Sequence, residues 1–148
     1  MIEVVRWPSM ALLGALALVG SVIATSGSAI AEVVKLRAEL KGSNEVPPNN
    51  STGSGKAEAS YDTETKALTY VITYAGLTGP VVGAHFHGPG EAGKNAGIAL
   101  PFKTVESPIQ GNATLTDAQA ADLLAGKWYA NLHTAANPGG ELRGQMMK

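Results

Sequence analysis

The stretch ALTYVITYAGL at residues 67–77 alternates with the two-residue period of a β-strand. A second alternating stretch, GKAEASYD at 55–62, precedes it, and turn-forming residues separate the two, which predicts a hairpin. Similar segments, bounded by glycine, proline or other turn residues, recur at 34–40, 81–87, 97–102, 109–115, 127–133 and 141–147. Seven or eight short strands of this kind predict an all-β fold, an antiparallel sandwich or small barrel.

One segment has the pattern of a helix instead. Thr116 and Gln119 have the spacing of a capping box ahead of an alanine- and leucine-rich run, and Gly126 supplies a C-terminal stop. A short helix is therefore predicted near 117–125, packed over one end of the sheets.

The N-terminal residues have the layout of a signal peptide. An apolar run, MALLGALALVGSVIA at 10–24, follows Arg6, and small residues at the positions that a signal peptidase reads place cleavage after Ala31. This predicts a signal peptide at 1–31 and a single domain at 32–148. An uncleaved membrane anchor is the alternative, although the run is shorter than the roughly 20 residues that span a bilayer. In both cases the domain is expected outside the cytoplasm, in the periplasm or secreted.

The composition excludes several classes of site. The chain contains no cysteine, which rules out disulfides, cysteine nucleophiles, thiolate zinc sites and iron–sulfur clusters. A metal would have to be held by nitrogen, oxygen or thioether ligands. The whole chain has eleven basic and twelve acidic residues, and removing Arg6 and Glu3 with the leader leaves ten basic and eleven acidic residues. They form no basic run, so nucleic-acid binding is not predicted.

The three histidines of the chain all lie in two short motifs, and two of them share AHFHGP at 84–89. Alternation in that strand predicts that Val82, Ala84 and Phe86 face the core, while His85 and His87 point to the opposite side with Gly83. Two side chains on one face of a strand, two residues apart, are separated by about 7 Å, from which both can reach one ion.

The third histidine ends the alternating segment KWYANLH at 127–133. Trp128, Ala130 and Leu132 are expected in the core, while His133 shares the opposite face with Tyr129 and Asn131. Three imidazoles on polar faces suit copper or zinc, and copper is the preferred prediction with zinc as the alternative. Surface histidines that make ordinary hydrogen bonds are the alternative that involves no metal.

Further polar residues near these motifs are candidates for supporting roles. Glu45, Asn131 and Glu141 are candidate fourth ligands or outer groups of the metal site. For Arg143 the preferred prediction is a structural bond to a glutamate carboxylate or a carbonyl oxygen, and the alternative is that it steers an anion or holds a ligating carboxylate.

The glycine-rich segment GPGEAGKNAG at 88–97 lacks the spacing of a phosphate-binding loop, and a loop that closes over the site is expected there instead. The sequence shows no Ser–His–Asp order, nucleophile elbow or pair of candidate catalytic carboxylates, so it gives no support for hydrolytic catalysis.

Three motifs in order carry a family resemblance: GSNEVPP at 42–48, YAGLTGPVVGAHFHGP at 74–89 and LLAGKWYANLHTAANPGGELRGQ at 123–145. They resemble the chordin-type domain, CHRD, over nearly the whole predicted domain. The resemblance implies an exported domain, since chordin is an extracellular antagonist of growth factors and microbial versions are small exported proteins. All the candidate site residues fall within these motifs.

A weaker resemblance is to the copper/zinc superoxide dismutase sandwich, which also carries a His-x-His pair on a strand. The further histidines and the aspartate of its two-metal site are missing, so a full dismutase site is not expected. The predicted fold is an immunoglobulin-like or dismutase-like sandwich with one short helix.

Three functions remain open from the sequence. The first is an exported metal-binding protein, with copper or zinc as its partner, acting in metal binding, storage or delivery. The second is an extracellular module that binds another protein without a metal, as the chordin resemblance implies. The third is a small redox metalloenzyme, for which the sequence shows no substrate pocket. Contact with a membrane is expected only if the leader is not cleaved.

Overall fold

The predicted hairpin forms in full, and its two strands are nine residues long each. The computed structural model describes residues 31–148, so the predicted signal peptide lies outside the described residues apart from Ala31. In chain order the elements are β1 (Val33–Lys41), β2 (Ser54–Asp62), β3 (Ala67–Ala75), β4 (Val81–His87), β5 (Ile98–Pro101), β6 (Ile109–Thr114), α1 (Asp117–Leu124), β7 (Tyr129–Thr134) and β8 (Leu142–Gln145). A short 3₁₀ turn at Gly42–Asn44 follows β1.

The eight strands form one sheet in the order β5-β4-β7-β8-β1-β2-β3-β6. All the paired strands run antiparallel. Small side chains of β2 face large ones of β3 across the pairing, as Ala57 does with Ile72 and Ala59 with Tyr70. All four side chains are buried, so the alternation that predicted the hairpin also sets its core face.

The sheet curls so that strands distant in the order meet across the core. The ring of Tyr70 on β3 lies 5.3 Å from the ring of Phe86 on β4, and Phe86 also contacts Phe102 and Trp128. Strands near the two ends of the sheet therefore share one apolar interior. The prediction of an all-β antiparallel fold with one short helix is confirmed, and the strands belong to one curled sheet.

The helix α1 forms as its capping pattern predicts. The Thr116 hydroxyl accepts a hydrogen bond from the Gln119 amide, and the Gln119 side chain accepts one from the Thr116 amide. Gly126 follows the helix with a φ of 72°, which a glycine adopts without strain. Leu123 is fully buried and attaches the helix to the core. Within residues 31–148, no helix is long and apolar enough to cross a membrane.

One detail of the predicted pattern in β4 is wrong. Val82 was expected in the core, but it is 65% exposed and Val81 is buried instead. The pairing of β4 with β7 shifts register between Val81 and Gly83, which is a bulge that breaks the alternation at this point. From Gly83 onward the predicted faces hold, with Ala84 and Phe86 in the core.

Candidate metal centre

The three histidines come together because β4 and β7 are neighbours in the sheet. Gly83 pairs with His133, and the same pairing places His85 opposite Asn131 and His87 opposite Tyr129. The ring centroids are 5.5 Å apart for His85 and His87, 5.2 Å for His85 and His133, and 6.0 Å for His87 and His133. One ligand nitrogen from each ring lies within 4.8 Å of the other two.

Backbone carbonyl groups determine which nitrogen carries the proton in two of these rings. His87 Nδ1 lies 3.0 Å from the Ala96 carbonyl oxygen, and His133 Nδ1 lies 2.9 Å from that of Pro138. Because a carbonyl oxygen can only accept a hydrogen bond, each Nδ1 carries the proton and each Nε2 keeps a free lone pair. A second hydrogen bond of this kind, which orients the ring, is typical of histidines that bind metals.

One nitrogen of each ring has no hydrogen-bond partner. His85 Nδ1, His87 Nε2 and His133 Nε2 are all buried without one. A buried polar atom without a partner costs free energy, so three in one cluster require an explanation. An ion that accepts lone pairs from all three rings satisfies them at once.

The surroundings favour the neutral form of His85 and His87. Burial lowers the pKa of His85, and the neighbouring His133 and His87 lower it further. Burial also lowers the pKa of His87, although the hydrogen bond to the Ala96 carbonyl opposes the shift. A neutral imidazole is the form that binds a metal ion.

Tyr129 supports the cluster from the side of β8. Its ring lies parallel to the ring of His87, with 4.9 Å between the centroids and 6° between the planes. Arg143 Cζ lies 3.5 Å from the Tyr129 centroid. Because β7 lies between β4 and β8, Tyr129 separates the Arg143 guanidinium from His87.

Arg143 also anchors the loop 88–97. Its Nη1 donates to the Asn95 side-chain oxygen at 2.9 Å, and its Nη2 donates to the Lys94 carbonyl. The Ala96 amide donates to the Tyr129 hydroxyl at 3.0 Å. The loop therefore lies beside His87, and Arg143 makes the structural bond to a carbonyl that was the preferred prediction for it.

Glu45 and Asn131 form a buried pair next to His85. Asn131 Nδ2 donates to Glu45 Oε1 at 2.5 Å and to the Leu142 carbonyl at 3.0 Å. Burial raises the pKa of Glu45 to about 7, although the bond from Asn131 and the charge of Arg143 oppose the shift. The carboxyl of Glu45 therefore carries only part of a negative charge near neutral pH.

Glu141 takes part in a different cluster. Its Oε1 accepts hydrogen bonds from the Ser51 hydroxyl at 2.6 Å and the Thr78 amide at 2.9 Å. Its Oε2 accepts from the hydroxyls of Thr78 and Thr134, both at 2.6 Å. Burial raises its pKa, but these four bonds outweigh that effect and lower it to about 2. Glu141 is therefore an ionised structural group whose oxygens are already occupied.

The structure thus separates the predicted site residues into three sets. The histidines form the centre, Glu45, Asn131 and Arg143 lie in the layer beside it, and Glu141 belongs to the hydroxyl cluster. The sequence analysis did not find the stacking of Tyr129 or the carbonyls of Ala96 and Pro138. The Asn-Pro-Gly-Gly turn at 137–140 could have indicated the contact between His133 and the Pro138 carbonyl, because a tight turn folds the chain back onto the strand that precedes it.

The family of the chain follows from its motifs and from a direct match. The CHRD domain model matches residues 36–146. The chain belongs to the CHRD domain family. The match runs from within β1 to the residue after β8, so the three histidines of this CHRD domain and all of the sheet except the first residues of β1 lie inside it. No curated protein and no solved structure matches the chain.

Proposed function

We propose that this CHRD domain is an exported metal-binding protein that acts in metal binding, storage or delivery. His85, His87 and His133 are its ligands, copper is the metal and zinc is the alternative. The observation that carries this proposal is the set of three converging rings, each with a buried nitrogen that lacks a hydrogen-bond partner.

The arrangement of the rings supports binding over an ordinary structural role. Two of them are oriented by backbone carbonyls, which leaves their Nε2 atoms free to bind. None of the three belongs to the apolar core, so the fold does not need them for packing. Imidazole nitrogen suits both copper and zinc, and the chain has no cysteine to compete for either ion.

The test is metal analysis of the purified domain after loading with Cu²⁺ or Zn²⁺ and desalting. One ion per chain is expected, together with its loss in His85→Ala, His87→Ala and His133→Ala. Because the rings lie outside the core, circular dichroism and urea unfolding of the variants without metal should match the wild type. A matched control is Gln110→Ala, an exposed substitution on β6 away from the cluster. Full retention of metal by the three histidine variants would overturn the proposal.

A second candidate function is an extracellular module that binds another protein. A depression of about 920 Å³ lies on the outer face of β1, β2, β3 and β6, away from the histidines. Its lining combines the charged Lys35, Arg37 and Glu58 with Val71, which is 39% exposed. Protein binding becomes the preferred function if the domain retains neither copper nor zinc after loading and desalting.

A further inference from the structure

We infer that His85 is the exchangeable ligand of the centre, by way of which the ion enters and leaves while His87 and His133 hold it. The inference rests on the proposed function and favours delivery of the metal over storage. Three features carry it: the hydrogen bonds of the three rings, the atoms that the rings present to the ion and the space beside His85.

The hydrogen bonds divide the rings into two that are fixed and one that is not. Nδ1 of His87 donates to the Ala96 carbonyl, and Nδ1 of His133 donates to that of Pro138. A half-turn of either ring about its Cβ–Cγ bond puts a carbon atom in place of Nδ1 and breaks this bond. Among the residues that the structure describes, none makes a hydrogen bond with His85 Nδ1, so the same half-turn of His85 breaks none there.

His85 also presents a different atom to the ion. Its buried nitrogen without a partner is Nδ1, whereas those of His87 and His133 are Nε2. A half-turn of the His85 ring replaces Nδ1 by Cδ2, a carbon atom that does not bind a metal. For each of the other two rings, the carbonyl bond favours the binding orientation by about twofold to tenfold. His85 is therefore the ligand that leaves the ion at the lowest cost.

Gly83 leaves space next to the ring of His85. A Cβ at residue 83 would lie 3.4 Å from His85 Cε1 and 3.9 Å from His85 Nε2, on the ring edge opposite the binding atom. Because glycine has no side chain, nothing at this position limits rotation of the ring. His87 is enclosed instead, since the ring of Tyr129 stacks on it.

Long-range ¹⁵N NMR of the histidine side chains tests the difference between the rings in the wild-type domain. Without metal, at a pH where all three rings are neutral, His87 and His133 should each show one tautomer with the proton on Nδ1. His85 should show the averaged signals of two tautomers, because no carbonyl selects one of them. After Zn²⁺ is added, His85 should bind through Nδ1 and the other two through Nε2. A single fixed tautomer of His85 without metal, or coordination through Nε2 in all three rings, would overturn the inference.

Release of Zn²⁺ to an excess of a chromogenic chelator, followed by stopped flow, tests the role of His85 in exchange. Gly83→Ala is the variant, and Val82→Ala on the same strand is its matched control. The φ of Gly83 is not in the left-handed region, so alanine fits the backbone here. The added methyl group touches the ring edge and hinders its rotation, so release should slow about fivefold or more. Uptake should slow by the same factor, and the affinity should stay unchanged.

Val82 is largely exposed, so its truncation should leave the release rate as in wild type. Equal release rates in Gly83→Ala and wild type would contradict the role of His85 in exchange. The NMR measurement needs wild type alone, so it decides the question even if Gly83→Ala does not fold.

The outcomes separate this inference from the function on which it rests. If no metal ion binds to the wild type, the proposed function fails and the inference fails with it. If Zn²⁺ binds but His85 behaves like the other two rings, or Gly83→Ala releases the ion at the wild-type rate, only the inference is overturned.

Discussion

Replacing Glu141 by glutamine should destabilise the domain without impairing metal binding. The carboxylate is fully buried and accepts four hydrogen bonds, from Ser51, from Thr134 and twice from Thr78. These bonds join the loop before β2, the turn before β4 and the end of β7. Glutamine has nearly the same shape but lacks the charge and one of the two acceptor oxygens.

The size of the effect follows from the pKa of the carboxyl. A fall from the usual 4.5 to about 2 corresponds to about 3 kcal/mol at 1.36 kcal/mol per unit, and because glutamine keeps one acceptor oxygen the expected loss is about 2 kcal/mol. One hydrogen bond to a charged group contributes about 1.5–3 kcal/mol, so the expected loss is equivalent to about one of the four bonds. For a domain of this size the melting temperature should fall by roughly 8 °C.

The stability difference between wild type and Glu141→Gln should decrease as the pH falls. Because folding lowers the pKa, the ionised carboxylate stabilises the fold in full above pH 4.5, and the contribution disappears as the pH falls towards 2. The difference in unfolding free energy between wild type and Glu141→Gln should therefore shrink by about half at pH 3.

Urea unfolding followed by circular dichroism measures the unfolding free energies of wild type and Glu141→Gln at pH 7 and at pH 3. The slope against urea should be the same for both proteins, and Zn²⁺ affinity of the folded variant should equal that of wild type. An unchanged midpoint at pH 7 would refute the reasoning, as would a difference between the proteins that is independent of pH.

Three further predictions concern the metal centre and its support. Metal affinity should fall as the pH is lowered from 7 towards 5, because protonated rings cannot bind, although burial lowers the pKa of His85 and His87 and so helps these two ligands to stay neutral; competition titrations over this range measure it. Arg143→Lys should lose the paired bonds to the 88–97 loop, destabilise the domain by about 1–3 kcal/mol and weaken Zn²⁺ binding, as calorimetry and urea unfolding would show. Gly140→Ala should lower the melting temperature of the domain. Gly140 has a φ of 128°, and an added Cβ would lie 2.5 Å from Glu45 Oε1. Equal melting temperatures of variant and wild type would contradict this.

The strands and the helix could be predicted because their patterns are local. Alternation located all eight strands within a few residues, and the capping residue Thr116 located the start of α1. The bulge at Val82 could not be predicted in this way. It depends on how β4 pairs with β7, and a shift in pairing leaves no mark in the period of one strand.

The centre could be predicted in part for the same reason. Alternation put His85, His87 and His133 on polar faces, and the structure brings them together because β4 and β7 are adjacent. The role of Glu141 could not be predicted, because it depends on where Ser51, Thr78 and Thr134 lie in the fold, and these residues come from three separate segments. No spacing within the GELRGQ motif shows that hydroxyl groups from distant loops surround its carboxylate.

The most direct test of the three-histidine centre is X-ray absorption spectroscopy of the domain loaded with one equivalent of Zn²⁺ or Cu²⁺. The account predicts three imidazole ligands at about 2.0–2.1 Å and one further light-atom ligand, with no sulfur. His133→Ala should lose one imidazole from that set or fail to retain the ion. A first shell of oxygen atoms alone, or an imidazole count that is the same in wild type and in the three histidine variants, would contradict the proposed centre.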